Sequence, residues 1–161
     1  MEWIQCRWYS DMERANPNKK FSKVNFISAN MMGTKEKPAM KLKADETRGI
    51  LTFTMHLLKT QGSRLPQNAC TSLTKLVRAG ECLDEMLDIF KSHTRAMPSE
   101  DCKRCVDLCD EHLDLIDALG IKIIPKRHLF QHMVAGIEEL GNPRCVLGSG
   151  NLFCVCVCLC L

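Results

Sequence analysis

Apolar side chains recur every three or four residues through the middle of the chain, which is the period of an amphipathic α-helix. The first such segment begins at two acidic residues, which favour a helix start, and ends before Gly62. A longer segment follows Pro66. The spacing predicts one helix over about 45–60 and another over about 67–91.

A third pattern separates apolar and acidic positions more sharply. Pro98 precedes Ser99, a typical cap residue, and the spacing predicts a helix over 99–119. Its apolar stripe consists of Cys102, Cys105, Cys109, His112, Leu113, Ile116 and Leu119. Its opposite side carries Asp107, Asp110, Glu111, Asp114 and Asp117. This separation predicts a helix that packs on one face and is solvated on the other, with His112 a core histidine.

The fourth pattern follows Pro125, a residue suited to the first turn of a helix, and predicts a helix over 126–140. At 100° per residue, its buried side is predicted to contain Leu129, Met133, Ile137 and Leu140. Four helices joined by short connections predict an all-α protein. We expect a small bundle of about four helices over 44–144, with a disordered N-terminal leader over 1–43 and an irregular, cysteine-rich C-terminal tail over 145–161.

Charge is distributed unevenly along the 161 residues, although the net charge is only +3. The leader carries nine Lys/Arg against four Asp/Glu, whereas 44–119 carries nine against thirteen. Lys19, Lys20 and Lys23, here called the leader lysines, are candidates for nonspecific contact with nucleic acid, because lysine can neutralise phosphates. Most basic segments of this kind are simply solvated.

Cysteine is abundant, with eleven residues in the chain. No secretory signal and no membrane-spanning run is apparent in the sequence, so we expect a cytoplasmic or nuclear protein with reduced thiols. The tail alternates cysteine with valine or leucine and ends in a loose match to a prenylation motif. A translated TG dinucleotide repeat also encodes alternating Cys and Val, and we favour that interpretation.

Two histidines four residues apart are the main candidates for chemistry. His128 and His132 should lie close together on one helical face, and imidazoles at that spacing can bind the same ion. Cys102 and Cys105 could supply two further ligands, so the four residues form a candidate zinc site. We favour the other interpretation, in which the thiols are core residues and the histidines are hydrogen-bonded structural residues.

Catalytic patterns are missing from the sequence. The acidic row of the third helix points outward rather than towards a substrate, and no Gly-rich phosphate loop is present. The segment Gly148-Ser149-Gly150 lacks the flanking strand and helix of a nucleophile elbow. We therefore expect no enzymatic activity.

The segment Pro125-Lys126-x-His128-x-x-x-His132, followed by Ile137 and Gly141-Asn142-Pro143, resembles a segment of CACTA- and Plavaka-type transposases and related mobile-element reading frames. The preceding helical block is similar to uncharacterised, repeat-amplified reading frames of large unicellular algal genomes, and the resemblance covers about 38–144. In those transposases the Gly-x-Pro element leads into an aromatic residue, whereas Cys145 stands close behind it here, and no acidic triad can be assigned. The resemblance implies descent from a transposon-like protein without its catalytic site.

Two functional hypotheses follow from these patterns. The first is a non-catalytic, transposon-derived helical protein or fragment whose ancestor supported DNA handling. The alternative is a helical protein-interaction module stabilised by zinc or by a partner helix.

Overall fold

The computed structural model describes residues 2–15, 23–24, 44–64, 66–121 and 125–147. The helices are α1 (Glu2–Ala15), α2 (Ala44–Gln61), α3 (Gln67–Ser92), α4 (Ser99–Asp117), α5 (Pro125–Ala135), α6 (Ile137–Leu140) and α7 (Pro143–Leu147), with a 3₁₀ turn at Gly62–Arg64. No strand occurs in these ranges, so the predicted all-α class is confirmed.

The four predicted helices are confirmed with small changes at their ends. Ser99 is the first residue of α4 rather than a capping residue, and its Oγ donates a hydrogen bond to Glu138 Oε1 at 2.7 Å. The predicted fourth helix is divided into α5 and α6 by a turn at Gly136. The leader contains α1, which periodicity did not predict, while residues 16–22 and 25–43 and the tail beyond Leu147 lie outside the described residues.

Helices α3 and α4 form the antiparallel centre of the bundle. Arg78 on α3 pairs with Glu111 on α4, and Arg104 on α4 pairs with Glu85 on α3, so residue numbers rise along one helix as they fall along the other. Helix α2 is also antiparallel to α3, since Arg48 near its start pairs with Asp88 and Lys59 near its end pairs with Glu81. The two approach closely at Gly80, where an added Cβ would lie 2.7 Å from Met55 Sδ.

The core joins α3, α4, α5 and α6. Its fully buried members include Leu83, Met86, Phe90, Cys105, Leu108, Phe130, Val134 and Ile137. Burial of such side chains contributes about 1.5–3 kcal/mol each. A smaller cluster packs Trp8 and Tyr9 of α1 against Phe53 of α2, which explains how a segment without a long apolar stripe forms a packed helix.

The buried side of α5 differs from the prediction. Leu129 and Leu140 are exposed, whereas Phe130 and Val134 are buried together with Ile137. The observed face has the spacing i, i+4, i+7, which satisfies the helical period as well as the predicted face does. The helix is therefore rotated so that its phenylalanine enters the core.

Candidate functional site

The two candidate thiolate ligands lie in the core. Cys102 is 2% exposed and Cys105 is 0% exposed, and both belong to the apolar cluster that joins α4 to its neighbours. Burial raises the pKa of the Cys105 thiol to about 12, and it also raises the pKa of Cys102. Because metals bind the thiolate, thiols held in the protonated form are poor ligands. Both side chains are thus placed as small apolar core residues.

The two histidines lie on the exposed side of α5. Their Nε2 atoms are 2.9 Å apart, and the ring centroids are 4.3 Å apart with the planes inclined by 79°. A hydrogen bond at this distance needs one donor and one acceptor, so one ring carries its hydrogen on Nε2 and the other presents a lone pair. The predicted proximity of His128 and His132 is confirmed.

The structure does not bring the four candidate zinc ligands together. Cys102 and Cys105 point into the core, whereas His128 and His132 are on the surface. Within the described ranges, no three His, Cys, Asp or Glu side chains are placed to hold one metal ion. What remains of the candidate site is the histidine pair.

His112 is a core residue, as predicted. Its side chain is fully buried, and its Nδ1 lies 2.9 Å from the backbone oxygen of Ala79. A carbonyl oxygen only accepts hydrogen bonds, so Nδ1 carries the hydrogen. This bond ties α4 to α3 in the centre of the bundle.

The acidic row of α4 has the predicted outward orientation. Asp107, Asp110, Asp114 and Asp117 are exposed. Glu111 is half-buried and accepts two hydrogen bonds from Arg78, at 2.6 Å from Nε and 2.5 Å from Nη2. This bidentate pairing lowers the pKa of Glu111 and raises that of Arg78. Glu111 thus joins α4 to α3 through this pair.

The segment Gly141-Asn142-Pro143, part of the motif that resembles transposases, has a structural role. Asn142 is fully buried, and its Nδ2 donates to the backbone oxygens of Phe90 at 2.8 Å and His93 at 3.0 Å. Its Oδ1 accepts from the backbone N–H of Arg144 at 3.0 Å, which caps the start of α7. The Asn142 side chain therefore hydrogen-bonds backbone groups at the C-terminal end of α3 and at the N-terminal end of α7.

Arg48 forms a polar contact between α2 and α3 that periodicity could not reveal. It is 7% exposed, and it donates to Asp84 at 2.9 Å and to Asp88 at 2.6 Å. Both carboxylates border an open groove of about 450 Å³ beside Trp8. The other two carboxylates of this groove are also paired, Glu81 with Lys59 and Glu85 with Arg104. The charges of the groove are therefore largely compensated.

The basic leader is described only in part. Lys23 Nζ lies 2.8 Å from Oε2 of Glu13 on α1, and both side chains are about half exposed. Lys19 and Lys20 lie outside the described residues. Contact between the leader lysines and nucleic acid stays a prediction.

An exposed apolar stripe on α5 and α6 was not predicted. Leu129 and Leu140 are 63% and 57% exposed, and they are the exposed large apolar side chains of the described chain. Met133 and Gly136 are partly buried and lie between them at spacings of four, three and four residues, which places all four near one face, although Met133 also packs against the core. Leu140 Cδ1 is 3.2 Å from the position that a Cβ on Gly136 would occupy. These four residues are called the α5–α6 stripe below.

Across the described ranges, the helices are too short or too polar to cross a lipid bilayer. Comparison of the chain with protein-family models, curated proteins and solved structures gives no match. Descent from a CACTA- or Plavaka-like transposase accordingly stays a prediction based on the motif.

Proposed function

We propose that the helical domain is a non-catalytic protein-interaction module that associates with a second copy of itself through the α5–α6 stripe. The observation that carries this proposal is the exposure of Leu129 and Leu140 on the same face. Isolated exposed leucines are common in proteins, but these two lie on one face, with the partly exposed Met133 between them, and together they present apolar surface to a partner.

The fold itself has no need of these two leucines. Helices α5 and α6 already pack through Phe130, Val134 and Ile137, each at most 1% exposed. Polar side chains at 129 and 140 would leave that core intact and would avoid hydrating apolar surface. Removing such surface from water is worth about 25 cal/mol per Å². The stripe is therefore best explained by a contact outside the described residues, and a second copy of the chain is the partner we propose.

The stripe is complementary to itself when two copies are antiparallel. In the register that places Leu129 opposite Leu140, Met133 of one copy falls opposite Gly136 of the other, so that the large side chain meets the small residue. Each contact occurs twice, as a two-fold axis requires. A parallel arrangement would instead place Met133 against Met133 and Gly136 against Gly136, leaving a gap at the glycines.

The contact that the stripe can form is small. A contact through one helical face is smaller than the roughly 1,200 Å² of a stable interface, so we expect weak, reversible association.

Sedimentation velocity of the full chain in reducing buffer, over a range of protein concentrations, tests this proposal. We expect the average mass to rise with concentration, and Leu129→Ser combined with Leu140→Ser to abolish the rise. The matched control is Gln131→Ser with Ala135→Ser, because both residues are exposed on α5 outside the stripe. A monomer at every concentration, or equal association of the stripe and control variants, would exclude the proposal.

A further inference from the structure

The histidine pair on α5 is set apart from the contacts that hold the fold together. His128 and His132 are exposed, and the hydrogen bond between their side chains is local to one helix. Neither residue belongs to the apolar clusters. Two imidazoles held together on a surface have the chemistry of a chelate, because the neutral ring nitrogen is the commonest metal ligand in proteins.

We propose that His128 and His132 bind one divalent transition-metal ion through both Nε2 atoms, with the remaining coordination positions open to water. The buried thiols take no part in this site. It differs in this way from the four-ligand zinc site that the sequence suggested, and it does not depend on self-association.

The spacing of the nitrogens matches this chemistry. Metal–nitrogen bonds of about 2.0–2.1 Å that meet at a right angle place the two nitrogens about 2.9 Å apart. The hydrogen bond holds the two Nε2 atoms 2.9 Å apart, and tetrahedral coordination would require about 3.3 Å. Both rings are exposed, so small rotations of the side chains reach either geometry, and the spacing fits one shared ion.

The preferred ion follows from the type and number of the ligands. Nitrogen ligands bind Cu²⁺ more tightly than Ni²⁺ or Zn²⁺, and two protein ligands are fewer than the four that structural zinc sites use. The ring that carries its hydrogen on Nε2 changes tautomer when the ion binds, because solvent exchange places that hydrogen on Nδ1 and frees the Nε2 lone pair; both imidazoles are neutral in the complex. We expect Cu²⁺ to bind more tightly than Ni²⁺ or Zn²⁺.

Titration of the full chain with Ni²⁺ alone tests the site, after alkylation of accessible thiols so that cysteines do not compete. The imidazole NMR signals of the five histidines provide the readout, because paramagnetic Ni²⁺ broadens the signals of the rings that bind it. We expect the signals of His128 and His132 to broaden together, with one ion per chain. His56, a single exposed histidine on α2, is the internal control.

Substitution separates a chelate from two independent histidines. His132→Gln should weaken Ni²⁺ binding at His128 by about a hundredfold or more, because the second imidazole acts as an intramolecular ligand at high effective concentration. His56→Gln should leave the affinity of the pair unchanged. Both positions are exposed, and circular dichroism checks that the variants keep their helices. Equal broadening of His56 and His128, or an unchanged affinity in His132→Gln, would overturn the proposal.

Discussion

Substitution of Asn142 should be among the most damaging single changes in this domain. Asn142→Ala removes donors to the oxygens of Phe90 and His93 and the acceptor for the N–H of Arg144. A hydrogen bond contributes about 1 kcal/mol on average, and an unsatisfied buried group costs more than a solvated one. Three lost bonds therefore predict a loss of about 3 kcal/mol, a large part of the roughly 5–15 kcal/mol that stabilises a typical domain.

Urea unfolding followed by circular dichroism measures this loss, with Gln131→Ala as an exposed control on α5. Asn142→Asp separates the contribution of the donors from that of the acceptor. Aspartate keeps the oxygen that caps α7, but it places a carboxylate oxygen against the two carbonyl oxygens that the amide group now serves. We expect Asn142→Asp to be at least as destabilised as Asn142→Ala. An alanine variant within about 0.5 kcal/mol of the unsubstituted chain, or a fully stable aspartate variant, would refute the reasoning.

Three further predictions follow. Gly141→Ala should lower the free energy of unfolding, measured in urea, by more than about 2 kcal/mol, because Gly141 has φ +80° and an added Cβ would lie 2.6 Å from Arg95 O. Gly120→Ala should lower it by less, because Gly120 has φ +70° but open space around it. The full chain should bind duplex DNA weakly, with an affinity that decreases with rising salt and is lost when the leader lysines are replaced with Gln. Binding that is insensitive to salt would show that the leader lysines do not bind DNA through its phosphates. The folded-state pKa of Cys105 is raised to about 12 from 9.0, so its contribution to stability is complete below about pH 9 and is lost as the pH rises towards 12. Unfolding free energies should therefore decrease above about pH 9, by up to about 1.4 kcal/mol per pH unit for each such thiol, and urea unfolding of Cys105→Ala should show a shallower decrease.

Helix α4 illustrates what periodicity alone can predict. Its acids and its apolar residues fall on opposite faces, so one orientation satisfies both, and Cys102, Cys105 and His112 are buried as the pattern required. Leu108 is also buried, although the predicted stripe omitted it. Because apolar residues mark one face and acidic residues mark the other, α4 has only one favourable orientation in the bundle.

Helix α5 shows where the same reasoning fails. Its apolar residues form two adjacent stripes, one through Leu129 and one through Phe130, and both have helical spacing. The choice between them depends on tertiary packing, because Phe130 and Val134 join a core cluster with Leu83 and Phe90 of α3. These partners lie about 40 or more positions away along the chain, so no local pattern in the sequence encodes them.

Helix α1 was missed for a related reason. Its packing depends on Trp8 against Phe53, a contact across 45 positions, rather than on a sustained apolar stripe of its own. The four candidate zinc ligands are also separated in the structure. Spacing along α4 placed Cys102 and Cys105 correctly on one face, but spacing cannot reveal that the histidines of α5 lie on the side turned away from that face.

The most direct test of self-association is an isotope-filtered NOE experiment on a mixture of ¹³C-methyl-labelled and unlabelled full-length chains. Eleven residues of helix separate Leu129 from Leu140 by about 16 Å within one chain, which is too far for an intramolecular signal. The antiparallel arrangement predicts intermolecular NOEs between the methyl groups of Leu129 in one copy and Leu140 in the other. Intermolecular NOEs between Leu129 and Leu129, or none from either leucine at concentrations where the mass rises, would contradict the account.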